Sequence, residues 1–281
     1  MTILIGVPTY DDTVRCGLVS VLMAEARQPR CPPYTLAFKQ ASLLAFAHNA
    51  LLCLALNNRP EITHLLIMHA DVVPAPGFIN ILYDEMVRTG ADMLSVVLAI
   101  KDGKGLTSTA LLPDLGLADV DGRREFRRRR LTIKESERLS ETFDVHDLAA
   151  LFNDPSGHAA LLVNTGLLLI DVTRPFAEHC HFEINDAIFR NDGGQFYADV
   201  EPEDWHFSRQ AAQHGARVMA TRKVKAIHAG RANFPNHGGW GEWEHDQIGP
   251  PMTRQNGNGK GHLDETILQG TLSQPADAVG I

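Results

Sequence analysis

An α/β domain built on a mostly parallel sheet is the fold class this sequence predicts, and three observations carry it. From residue 1 to about residue 100, short apolar runs alternate with longer stretches of helical period, the signature of βαβ units. The run Leu65-Leu66-Ile67-Met68 reads as a buried strand that stops abruptly in His69-Ala70-Asp71. With 281 residues, 44% of them hydrophobic, the chain is long enough for one large α/β domain with a sizeable core or two small ones.

The elements follow in order. Strands are predicted near residues 3–7, 34–38, 64–68 and 92–98, and helices near 13–26, 41–56 and 76–89, with Gly90 as the cap of the third helix. Residues 101–158 change character: Lys101-Asp102-Gly103-Lys104-Gly105 opens a polar stretch, and Arg123, Arg124 and Arg127 to Arg130 form a dense basic run. This region reads as an insertion, a solvated and partly mobile lid, with a phosphate or nucleic-acid contact as the other reading. Another apolar stretch, 160–172, is interrupted by Asn164-Thr165-Gly166, where small residues let a ligand or another backbone come close. A turn-rich hinge at Asn191-Asp192-Gly193-Gly194 precedes Glu201-Pro202-Glu203-Asp204 and a helix over 205–214 closed by Gly215. Short strands over 217–221 and 224–228 end in His228. Residues 233–281, rich in Gly and Asn and carrying Trp240 and Trp243, read as a wrapping tail that is partly ordered at most.

Composition excludes some classes. A formal net charge of −8 gives no general pull toward nucleic acid or anionic membranes. Cys16, Cys31, Cys53 and Cys180 have no CxxC spacing, and all are expected to be reduced, Cys16 and Cys53 as small core residues. No apolar run approaches the length of a membrane span, and Met1 runs straight into a strand without a basic leader, so the expected compartment is the cytoplasm of a bacterium or of a phage-infected host. Neither a P-loop, a nucleophile elbow nor a dinucleotide-binding glycine motif follows a strand.

The chemistry gathers at strand ends. In open α/β sheets ligands bind at the carboxyl ends of strands, so a carboxylate at Asp71 and an imidazole at His69 point to a cation held against an anionic group such as a diphosphate. The alternative reading makes Asp71 only the cap of the helix after Pro76. Further candidates are Glu203-Asp204 and His228. His179-Cys180-His181 invites a soft-metal reading, but neighbours on an extended chain point to opposite faces. His237, Trp240 and Trp243 read either as an aromatic platform for a sugar ring or as a buried tail.

Taken with Val7-Pro8-Thr9-Tyr10-Asp11, these residues resemble the GT-A glycosyltransferases, in particular the family 2-like branch with its bacterial and phage members. The resemblance covers roughly residues 1–232, with the insertion at about 101–158 and the 233–281 tail largely outside it. It implies a Rossmann-like, mostly parallel sheet with helices on both faces and a small antiparallel extension. By the resemblance, Pro8, Thr9, Tyr10 and Asp11 embrace the nucleotide, Asn49 lies by the donor, and His69, Ala70 and Asp71 take the place of the Asp-x-Asp metal and diphosphate signature. Gly166 matches the turn under the acceptor, Asp204 with Glu203 the catalytic base pair, and His228 the late histidine that closes a Mn²⁺ or Mg²⁺ site. Two positions depart from the pattern: His69 stands where aspartate is usual, and His48 where arginine is usual. His69 is therefore open to ligating the ion, bonding the ribose or packing.

The implied activity is metal-dependent transfer of a hexose from a nucleotide sugar, a UDP-sugar first by family frequency, to a hydroxyl acceptor, with inversion if Asp204 is the base. A non-catalytic nucleotide-sugar or glycan-binding module is a competing reading, as is a phage enzyme acting on hydroxylated DNA bases through the arginine run. A sugar-1-phosphate nucleotidyltransferase lacks its expected basic glycine-rich loop.

Overall fold

The computed structural model describes residues 2–113, 118–120, 123–125, 128–154, 159–190 and 194–246. Strand and helix alternate over the first hundred residues: β1 (Ile3–Thr9), α1 (Cys16–Glu25), β2 (Tyr34–Gln40), α2 (Leu44–Asn57), β3 (His64–Met68), β4 (Val72–Pro74), α3 (Phe78–Thr89) and β5 (Met93–Val96). Next come β6 (Leu106–Leu112), β7 (Ala118–Val120), β8 (Arg123–Glu125), β9 (Arg129–Thr132), α4 (Ile133–Ser136), β10 (Thr142–Phe143), α5 (Val145–Phe152), β11 (Ala160–Leu162) and β12 (Leu167–Asp171). The described chain closes with β13 (Asn185–Arg190), β14 (Phe196–Glu201), α6 (Glu203–Gln213), β15 (Val218–Thr221), β16 (Ala226–Ala229) and β17 (Asn233–Pro235).

The central sheet has seven strands in the order β10-β15-β5-β12-β3-β1-β2. β2, β1 and β3 run parallel, as do β5 and β15, while β12 runs antiparallel between β3 and β5, and β10 is antiparallel at one edge. This is a Rossmann-like α/β architecture with a mostly parallel sheet. β3 shows why its sequence is apolar throughout. Leu65 and Ile67 enter one core with Leu52 and Ala55 of α2, whereas Leu66 and Met68 enter the other with Leu18 and Leu22 of α1 and Phe78, Leu82 and Met86 of α3. A strand covered on both faces cannot alternate polar with apolar.

Two elements differ from the sequence-based expectation near the strand ends. α1 starts at Cys16 rather than near residue 13, because Asp11 accepts hydrogen bonds from the Thr13 amide (3.2 Å) and hydroxyl (2.6 Å) and holds the chain in a turn. The three-residue β4 escapes periodicity. It pairs antiparallel with β16, His228 standing opposite Val72, and the Ala229 amide donates to the Asp71 carbonyl at 2.8 Å.

The described part of 101–158 carries strands and helices. β10 joins the central sheet, and β6 sits between β9 and β11 in a second sheet. Where it is described, the basic run is partly buried and engaged within the fold. Arg128 pairs with Asp199 at 2.8 Å, Arg129 pairs with Glu135 at 2.7 Å and lies over Phe152, and Arg130 lies over Trp205. Arg127 lies outside the described residues, as do the side chains of Arg123 and Arg124. The stretch 160–172 splits between two sheets, β11 pairing with β6 and β12 entering the centre.

In the tail, residues 233–246 are anchored at a few points. Asn236 is buried and bonds the Val97 and Val224 carbonyls, Trp240 donates to the Pro235 carbonyl at 2.7 Å, and Lys104 lies over Trp243. The rest of the 233–281 tail lies outside the described residues. Cys16 and Cys53 are exposed rather than in the core, and all four cysteines are free thiols. Among the described residues, no helix is long and apolar enough to cross a membrane.

Candidate active site

At the carboxyl ends of β1 and β3 lies an open cavity of about 410 Å³. Pro8, Thr9, Tyr10, Asp11, His69, Ala70 and Asp71 line it, so the residues expected around the nucleotide from the first and third strands meet in one place. Thr9 lines this cavity, and its buried hydroxyl has no hydrogen-bond partner among the described residues. Arg15, at the start of α1, lines it too and offers a guanidinium for an anion.

Asp71 does not cap α3. That helix begins after Gly77 without a side-chain cap of its own, and Glu25 of α1 accepts from the Gly77 and Ile79 amides instead. Asp71 is thus left for other partners. Lys101 Nζ sits 2.5 Å from Oδ2, and His228 Nε2 lies 3.6 Å from Oδ1. Burial raises the Asp71 carboxyl pKa, but His228 and Lys101 outweigh it and hold the group well below the ordinary carboxylate range.

His228 is oriented for ligation. Its Nδ1 is 2.8 Å from the Ala99 carbonyl, which only accepts, so in the neutral ring the proton is on Nδ1 and Nε2 turns a lone pair toward Asp71. A hard carboxylate and an imidazole facing each other at this separation are a fitting pair for Mn²⁺ or Mg²⁺. Lys101 competes for the same carboxylate.

His69 is engaged elsewhere. Its Nε2 is 3.1 Å from the Thr165 hydroxyl, and its ring stacks on His48 with centroids 5.6 Å apart. Burial, reinforced by His228 and Lys101 and opposed by Asp71, lowers its pKa to about 4, so the ring is neutral at physiological pH. Among the described residues, His69, Asp71 and His228 do not form a triad with ligand atoms all within 4.8 Å of one another.

The imidazole stack leads toward the expected base. His48 is fully buried, neither ring nitrogen is hydrogen-bonded among the described residues, and its Nδ1 is 4.0 Å from Glu203 Oε1. Burial, then His69, pushes the His48 pKa well down, and burial pushes Glu203 up. Beside Glu203, Asp204 is partly buried at the head of α6, with Oδ1 accepting from the Trp205 amide at 2.8 Å. Burial first and the Glu203 charge second push its carboxyl up to about 8, against the Trp205 amide and Arg130, which lower it. A carboxylate so disfavoured is a strong proton acceptor.

Of the expected site residues, Asn49, Gly166, Glu203, Asp204 and His228 do not line the cavity. Asn49 spends its amide on Phe182, donating to the carbonyl at 2.7 Å and accepting from the amide at 2.8 Å. Gly166 supports from below: its carbonyl accepts from the His69 amide at 3.0 Å, and a Cβ there would meet Leu98 Cδ1 at 2.6 Å. Sequence reasoning missed Arg15 and Lys101. For Lys101 the available signal was its place just beyond the carboxyl end of β5.

No protein-family model matches the sequence, and no curated protein matches it. Among solved structures, the chain is similar to the crystal structure of A197 from STIV, with 17% sequence identity, 82% of this chain and 86% of that chain covered, and a TM-score of 0.46.

Proposed function

We propose that this protein is a metal-dependent glycosyltransferase of the GT-A kind, moving a sugar from a nucleotide-sugar donor, a UDP-sugar in the first instance, to a hydroxyl acceptor. The observation that carries the reading is the approach of His228 Nε2 to Asp71 Oδ1, 3.6 Å, at the rim of a cavity built from the β1 and β3 strand ends. Pro8, Thr9, Tyr10 and Asp11 hold the nucleoside, Arg15 faces the diphosphate, and Asp71 with His228 holds Mn²⁺ or Mg²⁺. When bound, the ion supplies charge neutralisation for the leaving diphosphate. In this reading His69, neutral and bonded to Thr165, contacts the donor rather than carrying charge. Asp204 takes the proton of the acceptor hydroxyl, with inversion at the anomeric carbon as the consequence, and Glu203 keeps its neighbour basic.

The test is incubation with Mn²⁺ and a panel of UDP- and GDP-sugars, followed by release of nucleoside diphosphate. Slow donor hydrolysis that Asp71→Ala abolishes supports the reading; tight donor binding without hydrolysis or transfer to any acceptor makes the protein a binding module instead. Lys101 favours a second version of the same activity. An ammonium 2.5 Å from Asp71 Oδ2 puts positive charge where the ion would sit. Donor turnover unchanged by EDTA would select that version. The DNA-base acceptor draws no support from Arg128, Arg129 and Arg130, whose guanidiniums are engaged within the fold.

A further inference from the structure

Away from that cavity, where the chain entering β13 meets α6, His181, Glu183 and His206 each place one ligand atom within 4.8 Å of the other two. We propose that these residues form a separate divalent-metal site for a borderline ion such as Zn²⁺, bound by two imidazoles and one carboxylate with a further position open to water. The reading stands independently of the glycosyl-transfer proposal.

The local sequence explains the convergence. Residues 181–184 run extended into β13, so alternate side chains share a face. Phe182 points inward, stacking on Phe207 with ring centroids 4.2 Å apart, and Asn49 clamps its backbone. His181 and Glu183 therefore both face outward, with His181 Nε2 2.9 Å from Glu183 Oε2. α6 supplies the third member: His206 is buried, and its Nε2 lies 3.7 Å from the same Glu183 oxygen. Zinc bonds of about 2.0–2.2 Å separate tetrahedral ligand atoms by roughly 3.3–3.5 Å, a spacing that these two distances bracket.

What distinguishes this cluster from a chance meeting of polar side chains is the shell behind His206. The Glu201 carboxylate, buried and gripped by Arg209 at 2.6 and 2.9 Å, lies 2.9 Å from His206 Nδ1. Asn185 Nδ2 bonds the same carboxylate at 3.0 Å, and it and Arg209 Nη2 also lie 2.7 and 3.1 Å from Nδ1. Held by the Arg209 guanidinium and the Asn185 amide, the carboxylate is an acceptor, so Nδ1 carries the proton. The other ring nitrogen agrees. Gln210 Oε1 accepts from the His181 amide at 2.9 Å, which identifies its Nε2 as a donor, and that donor sits 2.9 Å from His206 Nε2. His206 thus turns a lone pair toward Glu183 and His181, backed by a carboxylate, which is how protein ligands to zinc are oriented. Binding an ion displaces one Gln210 N–H and ties the start of the β13–β14 hairpin to the helix that carries Asp204.

The experiment uses the full chain, stripped with EDTA and titrated with Zn²⁺ against a chromophoric chelator. Wild type and Asp71→Ala are expected to bind one equivalent that a His181→Ala/Glu183→Gln double variant loses, and Glu183→Gln alone weakens it at least tenfold. Both substitutions are at exposed side chains, and melting in EDTA verifies the fold. Zn²⁺ raises the melting temperature of wild type but not of the double variant, while Gln210→Ala binds at least as tightly as wild type. Equal stoichiometry and affinity in wild type and the double variant would overturn the proposal, as would loss of the equivalent in Asp71→Ala alone.

Discussion

His228 Nε2 stands 3.6 Å from Asp71 Oδ1 because β16 and β4 pair, not because either residue has a sequence neighbour in common. The pairing sets His228 opposite Val72, and the Ala99 carbonyl turns the ring. Asp71 on its own is a carboxylate at a strand end; the ladder makes it half of a ligand pair.

Lys101 tests that pairing from the other side. Replacing it by Met frees Asp71 Oδ2, so Mn²⁺ affinity is expected to rise roughly two- to fivefold, the scale of a partly exposed ion pair worth up to about 1 kcal/mol. Metal-free donor affinity falls in the same variant. Titration of donor with and without EDTA checks both, and a fall in Mn²⁺ affinity would make Lys101 a support of the site instead of its competitor.

Asp204→Asn removes the proton acceptor while keeping the shape. Donor Kd is expected to stay within a factor of about two while kcat drops on the order of 10²–10⁴. Single-turnover kinetics beside equilibrium donor binding reads the split; the opposite split would place Asp204 in donor binding.

Glu85 gives a pH prediction for stability. It is buried and holds Arg88 at 2.6 Å, Thr142 at 2.8 Å and Lys223, joining α3 to β10 and the loop after β15. Chiefly Arg88, then Lys223 and Thr142, outweigh burial and lower its pKa from 4.5 to about 2. Folded Glu85 therefore stays ionised where the unfolded chain has already taken up its proton. Its contribution is complete above 4.5 and disappears as the pH falls toward about 2. Glu85→Gln should cost about 1–3 kcal/mol at neutral pH, and the gap to wild type should shrink on acidification. Urea unfolding at both pH values measures it; a gap that does not change with pH refutes the assignment.

Gly166→Ala crowds the floor of the site. The added Cβ would meet Leu98 Cδ1 at 2.6 Å and Asn164 Oδ1 at 3.1 Å, so the turn that accepts the His69 amide has to move. A loss of about 1–3 kcal/mol is expected, with weakened donor binding. Unchanged donor affinity would show that His69 keeps its place without this turn.

The parts legible in sequence are those governed by local pattern. Continuous apolar runs marked β1 and β3, helical period marked α2 and α3, and the break at Met68 placed Asp71 at a strand end. What was not legible depends on partners distant in the chain. Lys101 read as the start of a polar insertion because nothing local shows it reaching Asp71. Arg128 to Arg130 read as a solvated run because their partners Asp199, Trp205, Glu135 and Phe152 lie elsewhere in the sequence. His181 was weighed with its neighbours His179 and Cys180, whereas its actual companions are Glu183, two residues on, and His206 on another element.

The most direct measurement is Mn²⁺ binding by electron paramagnetic resonance with and without UDP. UDP is expected to tighten one Mn²⁺ equivalent in wild type, and both Asp71→Ala and His228→Ala are expected to lose that equivalent while keeping the wild-type fold by circular dichroism. If the UDP-dependent equivalent survives in both variants, Asp71 and His228 do not hold the ion and the metal-dependent account fails with them.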